Sequence, residues 1–124
     1  DVIVTGPVDD VRPSLLHASV VVAAPLIARG IQNKVLEGMA MGKVVVATSA
    51  AEQGLGVRGQ GAVLIADDAD AMAERVAEAL DGKHAAVAEA GRRIAETRFG
   101  WAGTLGTLDR LLANPARLGE ERVA

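Results

Sequence analysis

The sequence has no cysteine and no tyrosine, and it carries a single phenylalanine and a single tryptophan in 124 residues. Without thiols there are no disulfides and no Cys-ligated zinc, which agrees with a reducing cytoplasm. With Phe99 and Trp101 as the only aromatics, a ligand has to be recognised mostly without ring stacking. An excess of basic charge is lacking as well. The 13 Lys and Arg stand against 16 Asp and Glu, a net charge of -3, so no basic face gathers the phosphates of a nucleic acid. No apolar run approaches the roughly eighteen residues needed to span a bilayer. A signal-peptide pattern is missing, and the chain opens on Asp1-Val2 at strand-like residues rather than on methionine. The expectation is a piece of a longer, cytoplasmic protein, either free or peripheral at the inner membrane.

What is present is half apolar and 23% charged, the composition of one globular domain with an Ala, Val and Leu core. Aliphatic runs at Asp1–Gly6, Ser19–Pro25, Lys43–Thr48 and Ala62–Ala66 read as buried strands. Between and after them, helices are expected from Pro13, over Asn33–Met41, from Asp67 to about Leu80, over Ala85–Thr97 and over Ala102–Leu112. In the third of these, Met72, Val76, Ala79 and Leu80 mark the apolar face. Residues 1–113 form the domain and 114–124 a polar tail. Aliphatic strands that alternate with helices, without polar alternation, indicate an α/β fold with a parallel sheet covered on both faces. Ligands of such sheets sit beyond the carboxyl ends of the strands.

The stretch ARGIQNKVLEGMAMGK, Ala28–Lys43, begins at such an end and crowds Arg29, Gln32, Asn33, Lys34 and Glu37 between two aliphatic runs. As a helix from Asn33 to Met41, it turns Val35, Leu36, Met39 and Ala40 inward and Lys34, Glu37 and Met41 outward. Gly30 frees the backbone for close approach to a ligand, and Asn33 is placed to cap the helix. The first-turn N–H groups and Lys34 then favour an anion, while Glu37 can accept two hydrogen bonds from a vicinal diol such as ribose. That describes a holder for a phosphorylated sugar. Equally open on these residues alone is an ordinary surface pair between Lys34 and Glu37, worth a few tenths of a kcal/mol.

The run Lys34-Val-Leu-Glu37-Gly-Met-Ala-Met-Gly42-Lys-Val-Val-Val-Ala resembles the signature of the C-terminal, nucleotide-sugar-binding domain of GT-B glycosyltransferases. The likeness is greatest to the retaining group called family 4, in which a Glu, seven residues, a second Glu in an "EAMA" helix and "GxPVVA" follow in order. It continues through Val4-Thr-Gly6 with Val8, the strand ending at Pro25, the glycine-rich loop, Ala62–Ala66 and Phe99-Gly-Trp101. Through Ala28–Glu37 the chain is most similar to sugar transferases of bacterial exopolysaccharide systems.

The resemblance implies a Rossmann-like parallel sheet flanked by helices: a partial GT-B C-terminal domain without its first strand–helix units. It implies a cytoplasmic transferase acting with retention on a nucleotide-sugar donor, in polysaccharide or glycoconjugate biosynthesis, with no metal or other cofactor. Glu37 would bind the donor ribose. The Gly30-Ile31-Gln32 backbone, Asn33 and Lys34 would face the sugar and diphosphate, and Gly6, Pro7 and Val8 would lie near the base. Where the family has its first Glu, this chain has Arg29, a donor fork in place of an acceptor, which points it at the diphosphate or at an acidic sugar. Catalytic groups are not assigned. The fragment would be inactive alone, for want of the N-terminal acceptor-binding domain, and an unpaired sheet edge favours a homodimer. The competing readings are a nucleotide-sugar epimerase of the same architecture and a non-catalytic nucleotide-binding or interaction module.

Other signals have plainer explanations. Asp68-Ala-Asp70 precedes a helix and reads as a cap rather than a metal site. Asp9-Asp10 lacks the phosphoacceptor Asp of a receiver domain, and the glycines at 54, 56, 59 and 61 shape a loop rather than a dinucleotide fingerprint. His17 and His84 stand alone, as solvated or helix-end residues. Thr48 and Ser49 read as turn residues, and Trp101 as a packing anchor for the last helix.

Overall fold

Three aliphatic runs build a parallel sheet in the computed structural model, which describes residues 2–113. With the helices between them the order is α1 (Arg12–His17), β1 (Val20–Ala23), α2 (Asn33–Ala40), β2 (Val44–Ala47), α3 (Ser49–Gln53) and β3 (Leu64–Ile65). Three helices follow: α4 (Ala69–Leu80), α5 (Ala85–Arg98) and α6 (Trp101–Ala113). The strands lie in the order β1-β2-β3, with Val20 opposite Val44 and Val46 opposite Leu64. This is the α/β, Rossmann-like arrangement that the alternating pattern implies. The β-branched valines suit a pleated surface, and the central strand β2 is buried at every position.

Glycine sets how closely the helices approach. A Cβ on Gly38 would fall 2.9 Å from Val45 Cγ2 and 3.1 Å from Val21 Cγ1, so α2 lies directly on β1 and β2. Val35 and Met39 on that face are fully buried, each burial contributing about 1.5–3 kcal/mol. On α5, Gly91 lets the helix close on Met39 and the Ala62 carbonyl. Val44 and Val46 point to the other face of the sheet and are buried too, and α4 packs against β1 and β2.

Several expectations need correction. The run Val2–Gly6 is not a buried strand: it pairs with nothing among the described residues, and Val2, Ile3 and Val4 are 93%, 85% and 89% exposed. A strand is made by its neighbours, and this run has none. Leu80, the last residue of α4, faces solvent, which leaves Met72, Val76 and Ala79 as the packed face. Ala40 is exposed and Leu36 only half-buried, because α2 presses on the sheet through Val35, Gly38 and Met39. Trp101 is 81% exposed rather than a packing anchor among the described residues, and Phe99 is the aromatic packed on the core. The glycine-rich connection after β2 starts with a helix, α3, where only a loop was expected. The polar tail at 114–124 lies outside the described residues.

Candidate functional site

At their carboxyl ends the strands are tied together side by side. Thr48, just past β2, donates from Oγ1 to the Pro25 carbonyl beyond β1 at 2.8 Å. The same oxygen accepts the Ala51 N–H at 3.3 Å and caps α3. Ser49 donates its N–H and its hydroxyl to the two oxygens of Asp67, beyond β3, each at 2.7 Å. The Ser49 hydroxyl, then its N–H, and to a lesser degree the Arg58 charge hold the Asp67 carboxyl below its ordinary value. Asp68 accepts the Ala71 N–H at 2.8 Å and so caps α4, as its position predicts.

The connection from Pro25 to Gln32 crosses this edge. Gly30 turns it with φ +68°, a conformation that side chains disfavour, and Gln32 Nε2 donates to the Arg29 carbonyl at 3.3 Å. The N-cap of α2 is Gln32, with no side-chain cap, and Asn33 is the first helical residue rather than the cap. The Val35 N–H donates to the Gln32 carbonyl at 3.0 Å, and the N–H groups of Asn33 and Lys34 keep the capacity to bind an acceptor.

Arg29, Lys34 and Glu37 are exposed. Among the described residues their side chains make no ion pair and no hydrogen bond. Lys34 and Glu37 in particular do not pair, so the ordinary surface bridge is not what this spacing builds. Glu37 instead opens on a cavity of about 410 Å³ between the Asp9–Arg12 entry to α1, with Leu15, and the outer face of α2, with Ala40 and Met41. In that cavity Arg12 grips Asp10 with two bonds of 2.9 Å, from Nε to Oδ1 and from NH2 to Oδ2, and the guanidinium lowers the Asp10 pKa. Among the described residues Asp9 and Glu37 have no partner and are left as acceptors.

The structure therefore divides the candidate residues. Glu37 faces the cavity, whereas Arg29, Gly30, Ile31 and Gln32 lie on the loop over the strand ends, and Asn33 and Lys34 lie on the exposed first turn of α2. Gly6, Pro7 and Val8 are exposed and precede the cavity lining, which begins at Asp9. Sequence reasoning gave Asp9 and Gly54, the C-cap of α3, no part in the site, and passed over Glu52 altogether. Thr48, a residue type that favours the N-cap and accepts the Ala51 N–H, is the signal that could have revealed α3. No group of three or more His, Cys, Asp or Glu placed to hold a metal occurs among the described residues, nor any helix long and apolar enough to cross a membrane.

Compared with known proteins, residues 1–82 of the 124 match the family model described as Glycosyl transferases group 1. No curated protein and no solved structure matches the chain. The matched span contains the sheet, α2 with Lys34 and Glu37, and the whole of the loop that precedes them. On that match, and with the Rossmann-like sheet to carry it, the chain belongs to the group 1 glycosyl transferases.

Proposed function

We propose that the chain is the donor-binding part of a retaining, GT-B glycosyltransferase that uses a nucleotide sugar in polysaccharide biosynthesis. The observation that carries this is Glu37: an exposed carboxylate, free of partners, one turn into α2 and opening on a cavity of about 410 Å³. A carboxylate so placed suits the two hydroxyls of a ribose, which can donate to its two oxygens. Lys34 and Arg29 supply positive charge beside the uncapped start of α2, where the helix dipole also favours an anion. During transfer the bond from sugar to diphosphate breaks and negative charge grows on the leaving nucleoside diphosphate. Fixed cations and N–H groups are most effective at such a place. No metal is required in this scheme. The acceptor and the remaining catalytic groups would come from an N-terminal domain of the same protein, working in the cytoplasm or against the inner membrane.

Titration of the full-length protein with UDP, GDP and their sugars, combined with transfer assays, tests the reading. Binding of one nucleoside diphosphate, together with sugar transfer that is lost in Glu37→Ala, is the expected result. Binding without any transfer would leave a non-catalytic nucleotide module, and interconversion of the free nucleotide sugar would identify an epimerase.

A further inference from the structure

Glu52 is a carboxylate only 3% exposed, on a five-residue helix to which the donor reading gives no task. Burying a carboxylate is unfavourable unless hydrogen bonds compensate. Here Oε1 accepts the Val57 N–H at 2.6 Å, which closes the turn after α3 with Leu55 and Val57 buried inside it. Gly54 lies between the two ends of that clamp. A Cβ on Gly54 would fall 2.0 Å from the Gly30 carbonyl oxygen and 2.9 Å from the Ile31 nitrogen, so α3 ends directly against the Gly30–Ile31 backbone. At the other end of the helix, Thr48 holds the Pro25 carbonyl. The connection from β1 to α2 is therefore gripped by α3 at two points, Pro25 and Gly30.

We propose that Thr48, Glu52 and Gly54 are positioning residues for the donor. They fix the Gly30–Ile31 backbone over the strand ends without touching the ligand themselves. Glu52 sets the turn that places Gly54, Gly54 supports Gly30, and Thr48 anchors the start of the loop. This rests on the donor reading of Gly30 and Ile31 given above. The physical warrant is that misplacing a binding or catalytic group by about 1 Å can cost about 100-fold.

The test is calorimetric titration of the full-length protein with UDP and with GDP. Paired variants separate position from general damage: Thr48→Val with Thr48→Ser, and Glu52→Ala with Glu52→Gln. Ser keeps the hydroxyl that donates to the Pro25 carbonyl, and Gln keeps an oxygen that accepts the Val57 N–H. Thr48→Val and Glu52→Ala are expected to weaken the bound nucleotide about tenfold or more, and the conservative partners to stay within about twofold. Equal weakening within each pair would show general destabilisation and overturn the proposal. So would unchanged affinity in Thr48→Val and Glu52→Ala. Glu37→Ala is the control: its failure to weaken binding, or a parent protein that binds neither nucleotide, removes the donor reading and the positioning role with it. Loss of binding in Glu37→Ala beside parent-like Thr48→Val and Glu52→Ala would overturn the positioning role alone.

Discussion

The α-carbon of Gly54 stands so close to the carbonyl of Gly30 that a single methyl group would lie 2.0 Å from its oxygen. Neither residue borders the other in sequence, and the contact joins the end of α3 to the turn that precedes α2. It has no substitute, because the neighbour is backbone and cannot rotate away.

Gly54→Ala is therefore expected to lower stability by roughly 1–3 kcal/mol or more, as overpacking against a fixed wall does. Gly106 is the control. A Cβ there meets nothing within 4 Å, the residue is inside α6, and its φ is not positive. Gly106→Ala should then be neutral or stabilising by about 0.5–1 kcal/mol. Thermal unfolding of the two variants checks both, and equal midpoints would refute the contact.

The three free charges make a different prediction. Since Arg29, Lys34 and Glu37 are exposed and their side chains are partnered by nothing among the described residues, removing them should change stability by no more than about 0.5 kcal/mol. Loss of nucleotide affinity in Lys34→Ala, Glu37→Ala or Arg29→Ala would then be a loss of ligand contact rather than of fold. For Arg29 a further outcome is expected: if it meets the diphosphate, the weakening in Arg29→Ala shrinks as salt rises, because exposed charge pairs are screened. A deficit independent of salt would place Arg29 elsewhere.

How far the sequence could be read depended on whether a feature is local. Val20–Ala23 and Val44–Ala47 were legible as strands because three consecutive valines leave no polar face, but only Val44–Ala47 is buried throughout: β1 lies at the edge of the sheet and leaves Val22 48% exposed. The α4 cap was legible in Asp68. Val2–Gly6 has the same local character as those strands, yet burial depends on partners, and none is present among the described residues. Helix α3 was hidden because five residues barely exceed one turn, with glycine immediately after. In the candidate site, the residue types of Lys34 and Glu37 were visible. Their separation, with Glu37 in the cavity and no bridge between them, was not. Sequence spacing places two side chains on neighbouring positions without deciding what each one meets.

The junction of α4 and α5 carries a pH dependence. Glu78 Oε2 meets His84 Nε2 at 3.1 Å and Arg75 NH1 at 2.9 Å, in a partly buried setting. The hydrogen bond with His84, then that with Arg75, holds the Glu78 pKa below its ordinary value of 4.5. The folded state thus binds this proton less readily than the unfolded state. Stability from Glu78 is fully present above about pH 4.5 and is lost as pH falls through the lowered folded value. Glu78→Gln should flatten the acid limb of the stability curve below pH 4.5 while lowering stability above it. Thermal midpoints between pH 3 and 6 that run parallel for parent and variant would remove Glu78 from the account.

An exposed apolar stripe predicts association of the isolated chain. On α6, Trp101, Leu105, Leu108 and Leu112 are all exposed, and their spacing of four, three and four confines them to an arc of about 60°. Two helices that each carry such a stripe can bury it against one another in the manner of a short coiled-coil seam. Exposed β-branched residues at Val2–Val4 and the open edge of β1 add unsatisfied surface. Sedimentation of the isolated chain should show its mean mass rising with concentration. Leu105→Lys with Leu108→Lys should reduce that rise without altering the helical circular dichroism, because both side chains already face water. If the double variant associates as strongly as the parent, the contact does not run through α6 and the edge of β1 becomes the place to block. A parent chain that stays monomeric at high concentration would show instead that neither surface drives self-association.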